Sequence, residues 1–251
     1  MLGLRRPSWF AVLLTMAGVA AFVALGIWQL DRAAYKQHLL ARFAHANAAP
    51  LTPFAAVSGS APRYRYTHVV VRGRFLVGRA YMWDDQTIGE QVGVDVYVPF
   101  AVPGHTRLLL VNLGFLPHSG TARNVPRMPP LPAGMVTLHG LYAPMPPPGL
   151  KLGGDQIARQ TRYPKLATYL DLGQIGRDLR RPLQPGVLLL DPDPHSPYQR
   201  EWTPTFMPPA RHQAYAFQWF SFAAAALVIF IVLHRRKAPP ANRPPDTPPT
   251  P

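Results

Sequence analysis

Cysteine is missing from this chain of 251 residues. That absence excludes a disulfide framework, thiolate copper sites, zinc ribbons, thiol–disulfide catalysis and covalent c-type haem attachment. Charge is scarce as well, at 15% of residues, where a soluble domain carries roughly a quarter. Acidic residues are the scarcer sign, 12 against 26 Lys and Arg, for a formal net charge of +14. No run of five basic residues occurs, so the excess does not point to nucleic acid. Anionic lipid or an acidic partner suits scattered arginines equally well. Catalytic signatures are also lacking: there is no G-x-S-x-G, no H-E-x-x-H and no phosphate-binding glycine loop. Asp84 and Asp85 are neighbours on a predicted strand and should point to opposite faces. Asp191-x-Asp193 with His195 lies between prolines and reads as a turn rather than a metal site. No nucleophile stands beside a base, and the chain is not expected to be an enzyme.

Apolar residues, by contrast, make up 48% of the chain and concentrate in two runs. Phe10 to Ile27 is uncharged, and as a helix it would span about 27 Å, close to the hydrocarbon thickness of a bilayer. Trp9 and Trp28 bracket it as interfacial anchors would. Tyr215 to Leu233 is also uncharged, with Gln218 near its start and His234-Arg235-Arg236-Lys237 closing it. A cleaved signal peptide is the competing reading of the first run, since Arg5 and Arg6 precede it. The nearest Ala-x-Ala patterns, Ala44-His45-Ala46 and Ala46-Asn47-Ala48, lie well beyond it. A charged stretch from Asp31 to Arg42 intervenes, whereas cleavage closely follows an apolar core.

Basic flanks set the orientation. Arg235, Arg236 and Lys237 outweigh Arg211 across the second run, so both termini are expected in the cytoplasm. The long intervening segment then belongs in the periplasm, or the equivalent compartment of an organelle. The expected organisation has a short cytoplasmic N-terminus (1–9), a first transmembrane helix (10–29) and a juxtamembrane helix and linker (30–63). A β-rich periplasmic domain with Pro-rich loops (64–200), a linker (201–213) and a second transmembrane helix (214–234) follow. A disordered Pro-rich cytoplasmic tail (235–251) ends the chain.

The fold class expected is therefore a membrane protein in which two transmembrane α-helices flank a β-rich extracytoplasmic domain, an antiparallel sheet or small barrel. Strands are predicted at Tyr66–Phe75, Arg79–Asp84, Gln91–Phe100, Arg107–Asn112, Met135–Tyr142 and Val187–Leu190. The first two, separated by Val77-Gly78, look like a hairpin, and Gly73 suggests a bulge or bend. Val92, Val94, Val96 and Val98 alternate onto one face. Helix is sparse, with two turns expected over Lys165–Leu172. Many of the 31 prolines cluster over Pro126–Pro148 and Pro192–Pro209, which should be extended loops.

Two constellations lie at the membrane edges. After the first run comes Gly26-Ile27-Trp28-Gln29-Leu30-Asp31-Arg32, then Tyr35 and Lys36. Helical spacing puts Trp28, Arg32 and Tyr35 on one stripe. Arg211-His212-Gln213-Ala214-Tyr215-Ala216-Phe217-Gln218-Trp219-Phe220 opens the second run. There His212, Tyr215, Ala216, Trp219 and Ala223 share a face. The residues alone leave two readings of His212: an interfacial helix cap, or an axial ligand offered to a flat apolar macrocycle through a neutral imidazole.

In three stretches the chain resembles the surfeit locus protein one family, membrane-bound assembly factors of cytochrome c oxidase. Leu25-Gly26-Ile27-Trp28-Gln29-Leu30-Asp31-Arg32 is similar to the family's G-x-W-Q-x-x-R. Val111-Asn112-Leu113-Gly114-Phe115-Leu116-Pro117 is similar to V-N-R-G-W-V-P. His212-Gln213-Ala214-Tyr215-Ala216-Phe217-Gln218-Trp219-Phe220 is similar to H-x-x-Y-A-x-Q-W-F. The resemblance implies an assembly factor in the bacterial cytoplasmic (inner) membrane that binds haem a transiently and aids its insertion into the catalytic subunit of the oxidase. A non-haem-binding structural partner of that subunit is the alternative. By the same match His212 is the implied axial ligand. Trp28, Gln29, Arg32, Tyr215, Gln218 and Trp219 line either the haem or the helix–helix contact. The implied partners are the oxidase catalytic subunit, haem a synthase and membrane lipid. Leu113 and Phe115 stand where the family has arginine and tryptophan, and Arg211 where it has asparagine, so contacts carried by those positions are in question.

Overall fold

The computed structural model describes residues 6–62, 66–118, 125–146, 154–202 and 207–235. The expected tail lies, from Arg236 onward, outside the described residues. The chain divides into two compact units, Met1–Gln37 with Met207–Pro251, and His38–Phe206.

The first unit contains most of helix α1 (Trp9–Ala48) and helix α3 (Pro209–Leu233). Both are long and apolar enough to cross a membrane. α3 begins with a proline at its first positions, where a missing N–H costs no hydrogen bond. The apolar side chains mostly face outward: Trp9, Phe10, Phe217 and Leu233 are exposed. What is buried on α3 is His212 and two small residues, Ala216 and Ala223.

The second unit is built on one eight-stranded sheet. Its strands are β1 (Thr52–Pro53), β2 (Thr67–Phe75), β3 (Tyr81–Ile88), β4 (Gln91–Ala101), β5 (Leu108–Pro117), β6 (Val136–Ala143), β7 (Lys165–Ala167) and β8 (Leu183–Leu190). They lie in the order β1-β2-β6-β8-β5-β4-β3-β7, and an additional β2–β4 pairing closes β2, β6, β8, β5 and β4 into a ring. A small barrel is thus the better of the two expected forms, though not a purely antiparallel one. β1–β2, β5–β8 and β3–β7 are parallel.

Two expectations are corrected. β2 and β3 do not form a hairpin: β2 pairs with β6 and β4, and β3 with β4 and β7. The short Val77-Gly78 turn only redirects the chain. At Gly73 β2 leaves β6 for β4, and a Cβ there would stand 2.3 Å from the Ala101 carbonyl oxygen. Close approach, rather than a bulge, is what requires glycine. Over Lys165–Leu172 the chain forms β7, and the helix, α2 (Leu172–Leu179), starts where that prediction ended. Asp171 is the reason, since its carboxylate accepts from the N–H groups of Gly173 and Gln174 as an N-cap.

Both faces of the central strands are covered. Val94, Val96, Val98, Phe100, Leu109, Val111 and Leu113 belong to one core. Tyr81, Tyr97, Leu108, Leu110, Ile157 and Ile175 belong to the other, with Phe43 and Ala46 from the end of α1. β5 therefore reads as a nearly continuous apolar run, as a strand buried on both faces does.

Candidate functional site

Helices α1 and α3 meet along matched stripes at alternating four- and three-residue spacing. On α1 the stripe is Phe22, Gly26 and Gln29; on α3 it is His212, Ala216, Trp219 and Ala223. Phe22 stacks on Trp219 with centroids 5.9 Å apart and meets Phe222 edge-on at 5.8 Å. A Cβ on Gly26 would lie 2.6 Å from the Phe220 ring, so only glycine admits that ring. Small residues set the approach and the aromatics fill what is left.

One polar pair closes this seam. The Nδ1–H of His212 donates to Gln29 Oε1 at 2.8 Å. Because the amide oxygen can only accept, the proton sits on Nδ1 and the lone pair on Nε2. Nε2 has no hydrogen bond among the described residues. Burial lowers the His212 pKa, and the positive charges of Lys36 and Arg32 lower it further, so the ring is neutral. The Arg32 guanidinium stands 5.1 Å from the centroid of the Tyr35 ring.

Of the residues singled out in the sequence, the seam gathers Gln29, His212, Ala216, Trp219 and Ala223. Trp28 and Tyr215 point outward, 57% and 41% exposed, and Gln218 and Arg32 are exposed too. Phe22 and Gly26 are site residues that the sequence reading did not single out as partners of α3. Their four-residue spacing and its continuation to Gln29 were the available signal.

The strand motif proves structural. Asn112 is buried, and its Oδ1 accepts from the Gly114 N–H at 2.9 Å. β4 and β5 shift register here: Val96 pairs with Gly114 and Tyr97 with Asn112, leaving Leu113 as the extra residue. Gly114 takes φ 122°, and a Cβ on it would meet Gln199 O at 2.6 Å. The motif thus encodes a β-bulge with its own side-chain clamp. Leu113 and Phe115 are buried in the sheet, so neither presents a side chain to a ligand or partner in this structure. Phe115 instead exchanges backbone hydrogen bonds with Gln199, at 2.8 and 3.0 Å.

The acidic candidates are engaged elsewhere. Asp84 Oδ1 accepts from His118 Nε2 at 2.9 Å, and Asp85 adopts a left-handed φ of 58° in a bulge of β3. Asp193 accepts from the His195 N–H at 2.9 Å, the turn expected there. No group of three or more His, Asp or Glu suited to a metal ion occurs among the described residues.

In comparison with known protein families, residues 16–224 match the model described as the SURF1 family. No curated protein matches the chain. The matched span includes both stripes of the helix seam, the sheet unit and all three sequence motifs.

Proposed function

This chain belongs to the SURF1 family, and on that footing we propose that it is a membrane-anchored assembly factor for haem-copper cytochrome oxidase that holds haem a transiently for the catalytic subunit. The family is linked to cytochrome oxidase assembly. On this reading α1 and α3 both cross the bacterial inner membrane, the termini are cytoplasmic, and the sheet unit works in the periplasm. The chain does no covalent chemistry.

The observation that carries the haem reading is the state of His212. Its Nδ1–H is committed to Gln29 and its ring is neutral, so Nε2 offers a lone pair in a fixed direction. A ligating histidine in a metal protein is oriented the same way, through its other ring nitrogen. The donor set therefore fits haem. Its iron accepts a neutral imidazole, and its propionates accept hydrogen bonds from guanidinium and ammonium groups. Lys36 and Arg32, whose charges act on His212, are the cations for that purpose. The seam itself supports the alternative reading, a structural partner of the oxidase subunit, because the same hydrogen bond also ties α1 to α3.

An optical spectrum of the detergent-purified protein, co-expressed with the enzymes that make haem a, separates the two. The expected result is a haem a band in the wild type that His212→Ala abolishes while helix content stays unchanged by circular dichroism. A folded wild type without haem would overturn the haem reading and leave His212 as a helix-pairing residue.

A further inference from the structure

The sheet unit carries a buried polar network that the assembly role does not use. Asp178, near the end of α2, accepts from Tyr81 Oη at 2.7 Å, and Tyr163 Oη and Lys165 Nζ donate to it as well. Lys165 is buried, and its ammonium also donates to the Ile157 carbonyl at 3.1 Å. Burial alone would push the Asp178 carboxyl up. The donors from Lys165, Tyr163 and Tyr81 outweigh it and hold the group below its ordinary value. Lys165 and Asp178 are thus a charge-neutral pair, and Tyr163 is fixed at its edge.

Over this network lies a cavity of about 470 Å³ lined by Leu76, Arg79, Asp178, Leu179 and Arg180. Its two guanidiniums come from different elements. Arg79 ends the turn between β2 and β3, held by its own N–H to Leu76 O and by the Leu76 N–H to Pro99 O. Its guanidinium carbon stands 4.8 Å from the centroid of the Tyr163 ring, and a hydrogen bond with the Tyr163 side chain helps hold the planar fork, which has further N–H donors. Arg180 caps α2 at φ 51°, a left-handed position where glycine is the usual residue. Here a residue with a long cationic side chain takes up the unfavourable backbone, and that side chain reaches the cavity. Neither guanidinium has a carboxylate partner among the described residues. The neighbouring Arg177, by comparison, is paired with Asp155 at 3.5 Å. With Lys165 and Asp178 cancelling, the cavity carries two uncompensated positive charges above a rigid floor.

We propose that this cavity is an oxyanion-binding site, in which Arg79 and Arg180 donate charge-assisted hydrogen bonds to one phosphate or carboxylate group and Leu76 and Leu179 flank its apolar stem. The site lies within the sheet unit and needs neither haem nor His212, so it stands or falls separately from the assembly role. A phosphate could arrive in solution or on a lipid headgroup, and the test resolves which.

The experiment is titration of the full-length protein, in nanodiscs of zwitterionic lipid, with inorganic phosphate and with glycerol phosphate at constant ionic strength. Saturable binding is expected for the wild type and for Arg72→Gln, an exposed arginine on β2. At least tenfold weaker binding is expected for Arg79→Gln/Arg180→Gln, whose unliganded melting temperature should match the wild type. If nanodiscs containing phosphatidylglycerol suppress wild-type binding of free phosphate, the headgroup is the natural occupant; if they do not, a soluble phosphate is. Equal affinity in the wild type and the double variant, or no saturable binding in either nanodisc, overturns the proposal.

Discussion

The two units are inside out with respect to each other. The sheet unit hides Tyr97, Phe100, Leu110 and Phe115 and leaves Arg72, Arg79 and Arg180 in solvent. The helix pair exposes Trp9, Phe10, Phe217 and Leu233 and buries Ala216, Ala223 and a histidine. In water, hydrophobic burial drives the first arrangement. In the helix pair, close approach of small residues and an interhelical hydrogen bond make the contact, the features that hold helices together where that drive is missing. The contrast teaches that burial does not mean the same thing in both units. A buried phenylalanine in the sheet fills an apolar core, whereas the buried histidine in the helix seam is a polar group held by Gln29 across it.

Truncating one phenylalanine in each unit tests this contrast with the largest expected effect. Phe115→Ala empties a fully buried site and should cost about 3–5 kcal/mol, read by denaturant unfolding of the full chain in detergent. Phe217→Ala, 77% exposed on α3, should change the same transition by less than about 0.5 kcal/mol. Equal losses would remove the distinction between the units.

A smaller effect sharpens the sheet side. Burial raises the Asp95 pKa to about 6, against a hydrogen bond from Asn112 that lowers it. A carboxyl raised on folding leaves stability intact at low pH. It then weakens the native state as pH rises from the unfolded value near 3.8 through about 6. Asp95→Asn should therefore stabilise the protein at pH 7, by at most about 3 kcal/mol, and make no difference below pH 4. A stability gain that does not vary with pH would show that the carboxyl is not buried as an acid.

The smallest effect concerns the connection following α1. His68 Nδ1 faces the Ala49 carbonyl at 3.1 Å and its Nε2 faces Asp191 at 2.8 Å. Both neighbours accept only, so the imidazolium satisfies both. Burial lowers the His68 pKa, but the Asp191 and Ala49 bonds exceed it and the net shift is upward. The contribution to stability is complete below the unfolded value near 6.5 and fades as pH rises through the higher folded value. His68→Gln should lose about 1 kcal/mol at pH 5.5 and less at pH 8.5, measured by paired thermal melts. A larger loss at pH 8.5 would reverse the sign and refute the ion pair.

Strand positions were legible wherever alternation or β-branching was strong, as in β2, β4 and β6. Pairing was not. The Val77-Gly78 turn invited a hairpin, but β2 finds its longest partner in β6, far along the chain. No local signal encodes a distant ladder. The start of α2 was misplaced, because the helix expected over Lys165–Leu172 begins only after its cap at Asp171, and β7 has three residues and is recognisable only by its place beside β3. In the helix pair, His212 and Gln29 were each noticed, but nothing in either segment alone says that one donates to the other. The cavity beneath Arg79 and Arg180 left no trace in the sequence, because its parts come from the turn between β2 and β3 and from the end of α2, about a hundred residues apart.

By itself, then, the sequence determined the solvent preference of each segment. Run length, the sign of the flanking charge and side-chain periodicity are local properties, and they separate two long apolar helices from a β-rich middle. Only the tertiary structure decided the ring of strands, the neutral Nδ1–H tautomer of His212 and the two guanidiniums that meet over a neutral floor with no carboxylate partner among the described residues. Each of these depends on groups distant in sequence being brought within a few ångströms, where hydrogen-bond direction, desolvation and Coulomb energy first take effect.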